Sequence, residues 1–152
     1  MTKKNLLFLL IGLLLINQAF AQSYVPDSTF NFSGKMNFNF FNNIDRSFDC
    51  LIQPDQKIVI VGLSKNSNTS YFELCFARFI PDGTIDYSFG LNGMTKVSMG
   101  PQQSIGGMTP RVIMDHAGRF CAVNSGRGTG SQDVMVCRLD TAGVLDNTFN
   151  ST

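Results

Sequence analysis

The sequence has no tryptophan, one histidine and one glutamate, Glu73. Charge is scarce: 15% of the 152 residues are charged and the formal net charge is +1. That balance removes the electrostatic reason for nucleic-acid binding, which calls for clustered Lys and Arg. It also removes a polybasic membrane patch. A lone His116 has no neighbouring Ser or Cys motif that would make a zinc site or a catalytic triad. With one Glu, no acid pair of the kind used in glycoside hydrolysis stands out. After residue 21 no long apolar run remains, so no segment of the mature chain is expected to span a bilayer.

The abundant residues are Gly, Asn and Phe, a composition that favours strands and turns over long helices. The first 21 residues are set apart. Lys3 and Lys4 precede an apolar run from Leu6 to Ile16, and Ala19-Phe20-Ala21 is a small-x-small cleavage site. This pattern reads as a secretory signal peptide, with the mature chain starting at Gln22 and export to the cell envelope or beyond. No Cys follows the run, which argues against a lipoprotein.

The mature part repeats itself. Asp27, Asp86 and Asp146 are each followed three residues later by Phe30, Phe89 and Phe149, at spacings of 59 and 60 residues. A fixed period of this length marks a repeat architecture. LIQPDQKIVIVG (51–62) reads as strand, turn, strand, and VIMDHAGRFCAV (112–123) is its second copy. Ile58, Val59, Ile60 and Val61 are β-branched, as in a strand buried on both faces. A polar loop at 65–70 and a strand at 72–80 follow, matched by a loop at 125–132 and a strand at 133–139. Arg78 matches Arg138, Gly83 matches Gly143, and MNFNFF (36–41) and MTKVSM (94–99) are alternating strands. About eight short antiparallel strands in an all-β fold are expected. Units fall at about 27–85 and 86–145, with the start of a third at 146–152. The recurring glycines suit turns with φ > 0, and the recurring Phe residues suit core anchors at a joint between units.

QPDQKIVIVG, FARFIPDGTIDYSFG and the 60-residue spacing resemble the bacterial delta-60 repeat family. Its typical unit reads roughly LQPDGKIVVAG, then ALARYNPDGSLDTSFG. The resemblance covers 27–149. It is close in the first copy and looser in the second, where Asp140-Thr141-Ala142 and Asp115-His116-Ala117-Gly118 depart from the pattern. It implies β-propeller-like blades in a secreted or surface protein, a structural motif without catalytic residues. Propellers close with about four to eight blades, so the reading adopted is one stretch of a longer array. The alternative is a smaller two-unit sheet or sandwich.

The remaining candidates for chemistry have plainer readings. GRGTGS (126–131) lacks the Lys and the following helix of a phosphate loop, and reads as a hairpin loop. Asp82, Thr84 and Asp86 lack the Glu that ends an EF-type loop, and read as a turn, with a cation along the Asp27, Asp86 and Asp146 edge as the alternative. Phe38, Phe40, Phe72 and Phe79 read as strand-core aromatics, with a sugar-stacking platform as the alternative. Asn31-Phe32-Ser33 fits a glycosylation acceptor, to which the bacterial resemblance gives no meaning. Cys121 and Cys137 would lie opposite one another if the 125–133 hairpin were symmetric about Thr129. The alternatives are a bridge there or four unpaired thiols, and the thiols are the reading adopted. No catalytic, metal or cofactor residue is assigned. The function expected is a noncatalytic secreted or surface module, a scaffold or a protein- or glycan-binding surface. The alternative is a fragment of a propeller-fold hydrolase or lyase.

Overall fold

The computed structural model describes residues 24–41, 44–69, 71–98, 109–127 and 132–150. The leader at 1–21 and the loop tip at 128–131 lie outside them. Seven strands are present among the described residues: β1 (Asp45–Ile52), β2 (Ile58–Lys65), β3 (Phe72–Phe79), β4 (Met94–Val97), β5 (Arg111–Met114), β6 (Phe120–Arg127) and β7 (Gln132–Leu139). They form two antiparallel sheets ordered β1-β2-β3-β4 and β5-β6-β7. The all-β expectation holds. Among these residues no helix is long and apolar enough to cross a membrane.

The first hairpin turns at Pro54-Asp55-Gln56, with the Gln56 N–H donating to the Gln53 carbonyl (2.9 Å). The second turns at His116-Ala117-Gly118, where Gly118 donates to Asp115 at the same distance. Strand alternation then sorts the side chains. Val59, Val61 and Leu63 of β2 and Phe72, Leu74 and Phe76 of β3 face the second sheet and meet Val112, Phe120, Ala122 and Leu139. The intervening Cys75, Ala77 and Phe79 face away and pack with Ile58, Ile60, Phe38 and Phe40. The first sheet is therefore covered on both faces, as its β-branched run required. On the outer face of the second sheet Ile113, Val123, Val134 and Val136 are exposed, with no cover among the described residues.

Two sequence expectations are corrected, and the adopted reading of four unpaired thiols holds. MNFNFF forms no strand, because residues 36–40 meet no ladder: a strand needs a neighbour for its N–H and C=O groups, and this segment lies across the first sheet as a cover. The loops are tighter than expected, since β2 runs on through Lys65, β6 through Arg127, and β7 starts at Gln132. Cys121 faces Arg138 across the ladder, and Cys137 faces Ala122. The ladder ends at Arg127↔Gln132, one residue away from the symmetric register, so the two thiols point to opposite faces. All four cysteines are unpaired.

Candidate functional site

The repeated residues come together in one place, the joint between units. Asp86 opens it. Its Oδ1 accepts the Ser88 N–H (3.0 Å) and hydroxyl (2.6 Å), and the Phe89 N–H donates to the Asp86 carbonyl (3.1 Å). Asp27 with Thr29 and Phe30, and Asp146 with Thr148 and Phe149, make the same turn. The next residue has left-handed backbone in all three copies: Asn31 (φ 46°), Gly90 (φ 54°) and Asn150 (φ 65°). Asn and Gly tolerate that region best, which is why these two types alternate there.

The turn delivers its Phe ring onto the following unit. Phe89 is fully buried against Gly143, whose missing Cβ would sit 2.5 Å from the ring. Phe30 lies on Gly83 in the same manner, at 2.9 Å. Backbone bonds lock each clasp: the Asn31 N–H donates to the Asp82 carbonyl and the Gly90 N–H to the Ala142 carbonyl, both at 2.7 Å. Gly83 and Gly143 are thus required twice, for φ near +80° and for the ring that occupies the Cβ position.

An arginine completes the joints at Asp86 and Asp146. Arg78 Nε donates to Asp86 Oδ2 (2.8 Å), and its guanidinium lies 4.7 Å from the Phe89 ring centre. Arg138 repeats both contacts, at 2.7 Å to Asp146 and 4.7 Å over Phe149. Arg78 also donates through Nη1 to the Thr141 carbonyl in the next unit (2.8 Å). A planar guanidinium can bond a carboxylate along its edge and stack on a ring through its face, which Lys cannot do. Burial of Asp86 works against its charge, but the Ser88 hydroxyl and N–H, Lys57 and Arg78 outweigh it and hold its pKa well below the usual range. Asp146 is held down to about 2 by Thr148 and Arg138. Carboxylates fixed in this state are structural acceptors, not proton-transfer groups.

The other candidates separate. Asp82 Oδ1 is taken by the Thr84 N–H and hydroxyl, both at 2.8 Å, while Asp86 faces Arg78 and Lys57. The oxygens do not converge, and no metal-competent cluster of His, Cys, Asp or Glu exists among the described residues. Phe40, Phe72 and Phe79 are buried, and Phe38 stands edge-on to Phe79 with centres 5.0 Å apart, so these rings are core rather than a platform. Asn31 spends its side-chain amide on the Lys35 carbonyl. His116 lines an open groove of about 500 Å³ with Pro54, Asp55, Asp115 and Thr141. There Asp115 already accepts from the Arg119 side chain and from the backbone N–H groups of Ala117 and Arg119. Two features escaped the sequence reading. One is the Asn92-Gly93 hairpin turn, with φ of 55° and 86°, which the dipeptide alone signals. The other is the arginine clasp, legible in the recurring Arg, Asp, Phe spacing of 8 and 11 residues.

Comparison with known proteins agrees with this architecture. Residues 53–89, which include the turn of the first hairpin, β2, β3 and the Asp86 turn, match the model of a domain of unknown function (DUF5122) described as a beta-propeller. No curated protein and no solved structure matches the chain.

Proposed function

We propose that this chain is a noncatalytic β-repeat module of a secreted or cell-surface protein, a scaffold or a protein- or glycan-binding surface within a larger array of delta-60-type units. One observation carries the reading. The polar residues that recur with the period are consumed in holding one unit to the next: Arg78 and Arg138 on Asp86 and Asp146, with Phe89 on Gly143. Ion pairs and turn glycines spent in this way fix geometry and leave no recurring group for catalysis.

The groove at His116 favours the second reading, a hydrolase or lyase fragment, because it gathers side chains that break the repeat. The chemistry there is poor. Asp115 is held below the usual carboxylate range, first by the backbone N–H of Arg119, so it is a weak base at neutral pH. The test is a panel of p-nitrophenyl glycosides and esters beside a printed glycan array, using exported protein. Glycan binding without turnover supports the module. Turnover that scales with protein and is lost in His116→Ala overturns it.

A further inference from the structure

We propose that the groove between the hairpin turns at 53–57 and 115–119 is a carbohydrate site, which holds a neutral pyranose through Gln53, Asp115, His116 and Thr141 without cleaving it. The proposal rests on the module reading above and places that module's ligand in one groove.

The second unit departs from the repeat pattern at two separate stretches, 115–118 and 140–142, and the fold brings them together. Asp115, His116 and Thr141 line one groove with Gln53 and Pro54 of the first unit. In the first unit the matching positions hold Gln53, Pro54 and Pro81. Two prolines, which stiffen turns and carry no hydrogen-bonding side chain, have thus become His116 and Thr141. The turns themselves do not call for the change. Their backbone bonds run through Asp115 and Gly118, and through Asp140 and Gly143, rather than through positions 116 and 141. Replacing a compatible proline gives up stability. Two such replacements that converge on one groove are what a binding site laid over a structural repeat leaves in a sequence, since local rules are broken where function requires it.

The chemistry of the groove selects an uncharged ligand with many hydroxyls. Its volume of about 500 Å³ lies in the range of small-molecule sites. Both of its acids are already paired, Asp115 with Arg119 at 2.7 Å and Asp55 with Lys57 at 3.6 Å. An ionic ligand would have to compete with those partners. A hydroxyl need not, because hydrogen-bonding capacity is left over. Three hydrogen bonds reach the Asp115 carboxylate, which can accept about four. The Gln53 amide donates to the Met114 sulfur at 3.9 Å, a weak acceptor, and its Oε1 has no partner. The exposed His116 ring and Thr141 hydroxyl each add a donor and an acceptor. Pro54 and Met114 supply apolar surface for the C–H face of a sugar ring. The seat is also held in place. The Thr141 carbonyl is fixed by Arg78 Nη1 at 2.8 Å, across the joint between the units. A site fixed beforehand loses little freedom on binding.

The test titrates isotope-labelled exported protein with the methyl glycosides of glucose, galactose, mannose and N-acetylglucosamine, followed by amide NMR. At least one glycoside is expected to give saturable shifts at Gly118, Arg119 and Thr141. His116→Pro and Thr141→Pro restore the pattern of the first unit. Each is expected to weaken that binding at least tenfold while far-UV circular dichroism is unchanged. Where a proline variant fails to fold, His116→Ala and Thr141→Val are expected to give the same loss. Saturable shifts on another surface, or binding that the variants leave intact, overturn the groove and leave the module reading standing. The absence of any shift does the same, since that reading also admits a scaffold or a protein-binding surface. Turnover of p-nitrophenyl glycosides that is lost in His116→Ala sinks both.

Discussion

Gly143→Ala and Gly118→Ala form a matched pair that isolates the clasp. Both glycines have left-handed backbone, at φ 80° and 77°. An alanine at either position carries the left-handed penalty of ~1–2 kcal/mol, offset by ~0.5–1 kcal/mol because glycine loses more chain entropy on folding. The surroundings differ. At Gly118 the nearest atom to the new Cβ is the Thr141 methyl, at 3.2 Å, and it can give by a few tenths of an ångström. At Gly143 three atoms of the Phe89 ring lie 2.5 to 2.6 Å away, and that ring is fully buried against Phe120 and Arg78. The ring must leave its seat. Full burial of a Phe side chain is worth ~1.5–3 kcal/mol, so losing most of it adds ~2 kcal/mol. The expected costs are ~1 kcal/mol for Gly118→Ala and ~3 kcal/mol for Gly143→Ala, read from urea midpoints at constant slope. Combining Gly143→Ala with Phe89→Ala should cost at least ~1 kcal/mol less than the sum of the two, since they act on one contact. Equal costs for the two glycines, or strict additivity with Phe89→Ala, would refute the clasp.

Other outcomes follow from the same geometry. Gln56 occupies at φ 66° the place that Gly118 holds in the second copy, so Gln56→Gly should stabilise by ~0.5–1 kcal/mol in thermal or urea unfolding. Asp86 and Asp146 have folded pKa values below the unfolded value, so the stability they add is present above pH ~4. It is lost as pH falls through about 2 for Asp146 and lower for Asp86, and the urea midpoint should drop over that window; Arg78→Gln should flatten the drop. Burial pushes the Cys75 thiol up to about 12 and Cys137 up to about 11, while Cys50 is exposed. A thiol reagent at pH 8 should therefore label Cys50 in the folded protein and spare Cys75 and Cys137.

Local chemistry made part of this legible in advance. The hairpins at 53–57 and 115–119 were readable because Pro, Asp and Gly impose turns by themselves. The β2 run was readable because four β-branched residues in a row suit burial on both faces. The joint was readable as a recurrence, and Gly83 and Gly143 as turn residues. Contacts between units were not. Nothing local tells that Phe89 will sit on Gly143, 54 positions on, or that Arg78 will reach the Thr141 carbonyl. MNFNFF misled because alternation reports which faces are buried, and a cover strip alternates as a strand does; only a ladder partner distinguishes them. The bridge alternative for Cys121 and Cys137 could not be settled in advance, because one residue of register decides the face and loop length does not reveal where a hairpin closes.

The most direct measurement of the account is amide hydrogen exchange at Gly90, followed by NMR. This N–H has one partner across the joint, the Ala142 carbonyl at 2.7 Å. If the clasp holds the units together, Gly90 exchanges only when the fold opens, with protection matching that of β2 and β3 amides and falling sharply in Gly143→Ala. Exchange near the unprotected rate, while β2 and β3 stay protected, would mean that the units fold without the joint and would contradict the account.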